Sequence, residues 1–155
     1  MTEVAFHTQL PDKLGYTCRL LRKAWRQGLR VAVVGQPEQL GRLDQALWMF
    51  EQEEFVPHLR LRTGQPMPAA AARTPICLLD DGGLDVQASV LVNLGPEFPA
   101  GVERFGRVVE VVSTDLGDVE LARPRWKQYL ASGLAPVNRP YVHEASAPTE
   151  PSASA

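Results

Sequence analysis

The sequence predicts a three-layer α/β/α domain on a mostly parallel sheet, nucleotide-fold-like but lacking a phosphate-binding loop. Three observations carry this. Short β-branched runs alternate with stretches of helical periodicity. The runs at 31–34 and 75–79 are continuously apolar, as strands covered on both faces are, and 108–112 has the same character around Glu110. At 155 residues, 45% hydrophobic, the chain is one domain's worth and buries about two-thirds of its unfolded surface.

The elements follow in order. Val4, Ala5, Phe6 and His7 make a first strand. Residues 14–28 make a helix in which Leu14, Cys18, Leu21 and Trp25 share a face, with Gly28 as its stop. The strand at 31–34 is punctuated by Gly35-Gln36-Pro37. Pro37 suits a first helical turn, and the helix it opens runs to Phe50 on a stripe of Leu40, Leu43, Leu47 and Phe50. Phe55, Val56, Pro57 and His58 read as a turn or edge segment, and 63–73, rich in Gly, Pro and Ala, as an exposed loop. Strands follow at 75–79 and 89–93, a short helix at 102–105, a strand at 108–112 and a last helical region at 115–132, closed by Gly133. Pro124 offers a break there, with one segment ending at Arg123, which leaves the facing of Arg123 open. The ordered domain is expected to span 1–141. Residues 142–155, dominated by Pro, Ala and Ser, hold too little apolar surface to order and are expected to form a disordered tail.

Lys plus Arg total 16 against 18 Asp plus Glu, a net charge of −2, which excludes a protein that coats nucleic acid by bulk positive charge. Locally, Lys13, Arg19, Arg22, Lys23, Arg26 and Arg30 fall within 13–30 with no acid among them. Such a run steers an acidic partner or nucleic acid, or is simply a solvated helix face. No secretory signal is visible and no stretch approaches the ~18 apolar residues of a membrane span. Cys18 and Cys77 form no CxxC pair and sit in apolar stretches, more in keeping with core positions than with nucleophiles. A cytoplasmic protein without membrane association is expected.

The architecture suggests a nucleotide enzyme, but the chemistry for one is missing. The turn Gly35-Gln36-Pro37-Glu38 matches neither GxGxxG nor GxxxxGK[ST]. Pro37 removes a backbone donor, and Glu38 puts negative charge where a phosphate would sit. Asp80-Asp81-Gly82-Gly83 offers paired carboxylates to a metal, although a turn cap is the commoner role. His7, His58 and His143 are scattered, and no catalytic set is assembled by spacing. No catalytic residue, cofactor or metal is expected, and a cryptic nucleotide-binding enzyme of the same architecture remains the alternative.

Two surfaces stand out. On the last helix Arg123 and Lys127 are four apart and share a face with Trp126, with Arg125 and Tyr129 flanking them. Cations beside an aromatic ring suit an acidic peptide with a terminal aromatic residue. The competing reading makes Trp126 and Tyr129 core residues, continuing Val119 and Ala122. On the second helix Trp48 lies about 100° from the core stripe. With Met49 and Phe55 it forms either an exposed apolar patch for a partner or the margin of a wide core face.

The segments Ala24-Trp25-Arg26-Gln27-Gly28-Leu29-Arg30-Val31, Arg42-Leu43-Asp44-Gln45-Ala46-Leu47-Trp48, Phe55-Val56-Pro57-His58 and Arg123-Pro124-Arg125-Trp126-Lys127-Gln128-Tyr129, in this order and ending at Gly133, resemble the chi subunit family of bacterial DNA polymerase III holoenzyme. The resemblance covers about residues 4–138. It implies a non-enzymatic accessory subunit that joins the clamp-loader complex through the psi subunit. It also implies binding to the acidic C-terminal tail of single-stranded DNA-binding protein, so that nucleic acid is met only indirectly. By position the tail site would include Arg123, Trp126 and Lys127, and the psi-facing surface Trp48 and Phe55. The family often has a further base one turn before Arg123, where this chain has Val119, and a polar residue where it has Pro124. The stretch after Tyr141 is outside the family pattern.

Overall fold

The computed structural model describes residues 2–49, 55–80 and 86–142. The order is β1 (Glu3–Leu10), α1 (Lys13–Arg26), β2 (Val31–Val34), α2 (Pro37–Met49), β3 (His58–Leu61), β4 (Ile76–Leu79), β5 (Val90–Asn93), β6 (Arg107–Ser113), α3 (Leu116–Ala131) and β7 (Val137–Pro140). All strand pairs are parallel, in the order β3-β4-β2-β5-β6-β1-β7. The three layers and the parallel sheet are as expected.

Alternation within the strands builds two cores. Val31, Val33, Ile76, Leu78, Val92, Val109 and Val111 face α1 and α2, whose Cys18, Leu21, Leu40, Leu43 and Leu47 cover them. Ala32, Val34, Leu79, Leu91, Val108 and Val112 face the other way, toward Ala122 and Tyr129 of α3. Strands covered on both sides need no polar face, which is why β2, β4 and β5 read as unbroken apolar runs.

The helices are capped as their sequences require. The Asp12 side chain accepts from the Gly15 N–H, and Asp115 from the Asp118 N–H. At the other end Gly28 and Gly133 take φ of +78° and +85°. Leu29 N–H donates to the Ala24 carbonyl and Leu134 N–H to that of Tyr129, closing both helices with glycine stops.

Several expectations are corrected. Pro124 does not divide α3: the helix is continuous from Leu116 to Ala131. The ring stands on the exposed side, and the carbonyl deprived of a donor belongs to Glu120, itself exposed. Of the two readings of 55–58, turn or edge segment, the second holds for His58, which opens the edge strand β3. Leu14 is 37% exposed, and Thr17 and Ala24 complete the buried stripe of α1 instead. The loop at 63–73 contains a 3-10 turn, Ala69–Ala72, that buries Ala71. Phe50, Asp81 and the tail from 143 onward lie outside the described residues.

The Lys13 ammonium pairs with the Asp118 carboxylate at 3.0 Å, joining the starts of α1 and α3. Burial raises the Asp118 pKa, but the Ser113 N–H at 2.8 Å and the Lys13 cation outweigh it and hold the carboxyl below its ordinary 3.8. A depressed folded-state value means this group stabilises the fold above pH 3.8 and ceases to as pH falls through the folded value. Asp118→Asn should therefore flatten the acid limb of a melting-temperature profile taken between neutral pH and about pH 3.

Candidate functional site

The carboxyl ends of β2 and β5 form the crevice where open α/β folds commonly bind nucleotides. Here it is bridged by side chains. Gln39 accepts from the Gln36 N–H at 2.9 Å and donates to the Leu94 carbonyl at 2.9 Å, which also receives the Lys13 ammonium at 3.0 Å. Gly35 and Gly95 are close enough that a Cβ on Gly95 would meet the Gly35 Cα at 3.3 Å. Asp80 accepts from the Thr63 N–H and hydroxyl, 17 positions earlier, so it ties the loop after β3 to the end of β4 rather than capping its own turn. Among the described residues no group of three or more His, Cys, Asp or Glu converges to hold a metal. Cys18 and Cys77 are both buried; burial pushes the Cys18 thiol up to about 11 and raises that of Cys77.

The outer face of α3 has a different character. Arg123 and Lys127 are exposed and one turn apart, and Trp126 between them is half-buried. The indole rests on Phe6 of β1, ring centroids 5.0 Å apart. One side of it is fixed by packing while the rest faces solvent beside two cations. Val119, one turn earlier, belongs to the apolar layer, so this end of the surface carries no charge from that position.

Arg125 and Tyr129, expected to flank these residues, are instead fully interior. Two residues along a helix turn the side chain by about 200°, so Arg125 points away from Arg123. Its Nε donates to Glu110 at 3.0 Å and its Nη1 to the Pro96 and Leu121 carbonyls. Tyr129 donates to the same carboxylate at 2.7 Å, as does the Asn93 amide at 3.0 Å. Burial pushes the Glu110 carboxyl above its usual range, against the pull of these partners. The cluster pins α3 to β5 and β6 and so sets which face of the helix turns outward. The signal for it in the sequence was Glu110 itself, a lone charge within an otherwise apolar strand.

A second aromatic surface lies at the opposite sheet margin. Trp48 is 63% exposed and Phe55 45%. Their rings stack obliquely at 4.9 Å, and both contact the His58 ring at 5.5 and 5.6 Å. His58 is fixed by hydrogen bonds to the Val56 carbonyl and the Asp44 carboxylate, at 2.8 and 3.0 Å. Met49, 78% exposed, follows Trp48 in the chain. These side chains leave apolar surface exposed on a rigid support. His58 and Asp44 as its supports were not foreseen from sequence, because their contact depends on the return of β3 beside α2.

The family model described as DNA polymerase III chi subunit, HolC, matches residues 1–137. DNA polymerase III subunit chi of Pseudomonas aeruginosa is 32% identical over 139 residues, covering 86% of this chain and 92% of that protein. The subunits chi of Escherichia coli and Haemophilus influenzae are 32% and 30% identical over 118 residues each, covering 76% and 75% of this chain and 78% of each relative. Among the described residues no helix is long and apolar enough to cross a membrane. The chain therefore belongs to the DNA polymerase III chi subunit family, the accessory subunits of the replicative polymerase.

Proposed function

We propose that the protein is a non-catalytic, cytoplasmic coupler of the clamp-loader complex. One surface engages the psi subunit and another the acidic C-terminal tail of single-stranded DNA-binding protein. The observation that carries this reading is the α3 face, where a half-buried indole backed by Phe6 stands between Arg123 and Lys127. Guanidinium and ammonium groups suit carboxylates, and the exposed part of an indole suits the ring of a terminal aromatic residue. The Trp48–Phe55 patch, apolar and held by His58, supports the assignment of psi to the other margin. The bridged crevice at the strand ends supports the absence of a nucleotide reaction.

A capture experiment with two baits tests the whole reading. Immobilised single-stranded DNA-binding protein should retain the chain when intact and release it when the last few residues of the bait are removed. Immobilised psi should retain the parent and lose Trp48→Ala, while the α3 variants stay bound. Equal retention by the truncated bait would overturn the tail assignment. Undiminished psi binding by Trp48→Ala would overturn the other.

A further inference from the structure

On the α1 side of the sheet, the margin formed by β1 and β7 is not roofed by a helix. Register places Glu3, Ala5 and His7 of β1 on this side, beside Arg107 and Val109 of β6 and Val137 and Arg139 of β7. α1 covers Val90, Val92 and Val109 next to them, leaving a groove of about 770 Å³ between helix and margin. The aliphatic surface it presents comes from Leu20, Leu29, Ala135 and Val137, over the buried Leu21, Val92 and Val109. Its lining also carries Lys23 from α1, Arg107 from β6 and Arg139 from β7, against the single carboxylate of Glu3.

Three elements far apart in sequence thus bring cations to one concavity. Their fields converge on His7: burial lowers its pKa, and Arg139, Arg107 and Lys23 each lower it further. The groove is positive, and the His7 imidazole in its lining is held by the Tyr16 hydroxyl of α1.

We propose that this groove is a second docking site, for an acidic, aliphatic-rich segment of a partner polypeptide. Charge complementarity sets the sign of the occupant, and the floor sets its kind. The nearest rings, Tyr16 and Tyr141, are engaged edge-on with His7 and with each other, and none of the groove's own lining residues is Phe, Tyr or Trp, whereas proteins that bind single-stranded nucleic acid use aromatic stacking platforms. The occupant also lies in the groove rather than extending the sheet. Tyr141 N–H donates inward to the Thr8 carbonyl, so alternation turns the nitrogen of Pro140 outward, where it has no hydrogen to offer an added strand. This site lies on the opposite face of the sheet from Arg123, Trp126 and Lys127 and stands whether or not α3 holds a tail.

The test is a titration of the ¹⁵N-labelled full chain with a peptide of alternating aspartate and leucine at low salt. Saturable amide shifts are expected at Ala5, Lys23, Val137 and Arg139. The exposed double variant Lys23→Glu with Arg139→Glu should weaken binding at least tenfold while keeping the parent's circular dichroism. Arg123→Glu with Lys127→Glu should leave the groove shifts in place. Shifts that are absent or confined to α3, or an affinity untouched by the groove reversal, would overturn the proposal. So would oligothymidylate moving the groove amides where the peptide does not, an outcome that reassigns the groove to nucleic acid.

Discussion

Arg125→Ala is expected to destabilise the protein by about 3–5 kcal/mol, read from urea denaturation at neutral pH, because it strands a buried carboxylate. Glu110 is fully interior, and the Arg125 guanidinium pairs with it at 3.0 Å. The loss should shrink as pH is lowered. Burial already raises the Glu110 pKa, and without Arg125 it rises further. An acid with a raised folded-state value takes up a proton more readily when folded, so stability falls with rising pH and recovers on acidification toward the ordinary carboxyl value. The double variant Glu110→Gln with Arg125→Met should cost less than Arg125→Ala alone. The amide oxygen still receives the Tyr129 hydroxyl, and no charge is left unpaired. An Arg125→Ala variant as stable as the parent at neutral pH would show that α3 is held by its apolar contacts alone.

Trp126→Ala is expected to weaken binding of the acidic tail peptide by about ten- to a hundredfold at every salt concentration. Burying an aromatic side chain supplies ~1.5–3 kcal/mol, and apolar contact is not screened. Lys127→Ala should act differently, with a modest loss at low salt that fades as salt is added, since exposed ion pairs contribute only ~0–1 kcal/mol each. Calorimetric titration at two ionic strengths separates the two effects. Because Trp126 also leans on Phe6, the variant's thermal unfolding must be followed in parallel, and Trp126→Phe should recover part of the affinity. Parent-like binding by both variants would remove the site from α3.

The legible parts of the fold are those where burial constrains both faces of an element. β2, β4 and β5 announce themselves as unbroken apolar runs, and the α2 stripe of Leu40, Leu43 and Leu47 emerges from period alone. β3 and β7 do not, because an edge strand need satisfy only one neighbour. His58–Leu61 has a single buried residue, and Val137–Pro140 is exposed throughout and ends in proline. The facing of α3 was illegible for another reason. Its helix carries apolar and charged residues on most sides, and its orientation follows from an ion pair with a strand residue 15 positions earlier. Once that pair is known, the outward placement of Arg123, Trp126 and Lys127 follows from helical geometry.

The sheet order has a mechanical corollary. Trp48 packs beside the first residue of β3, and Trp126 leans on β1, five strands further along. At the usual spacing that is about 24 Å of continuously hydrogen-bonded plate. Whatever is gripped at the two aromatic anchors is kept at a fixed stand-off by a stiff body, not by a leash. The effective concentration of one tethered molecule near the other is then governed by their own flexible ends, with this plate contributing a constant offset.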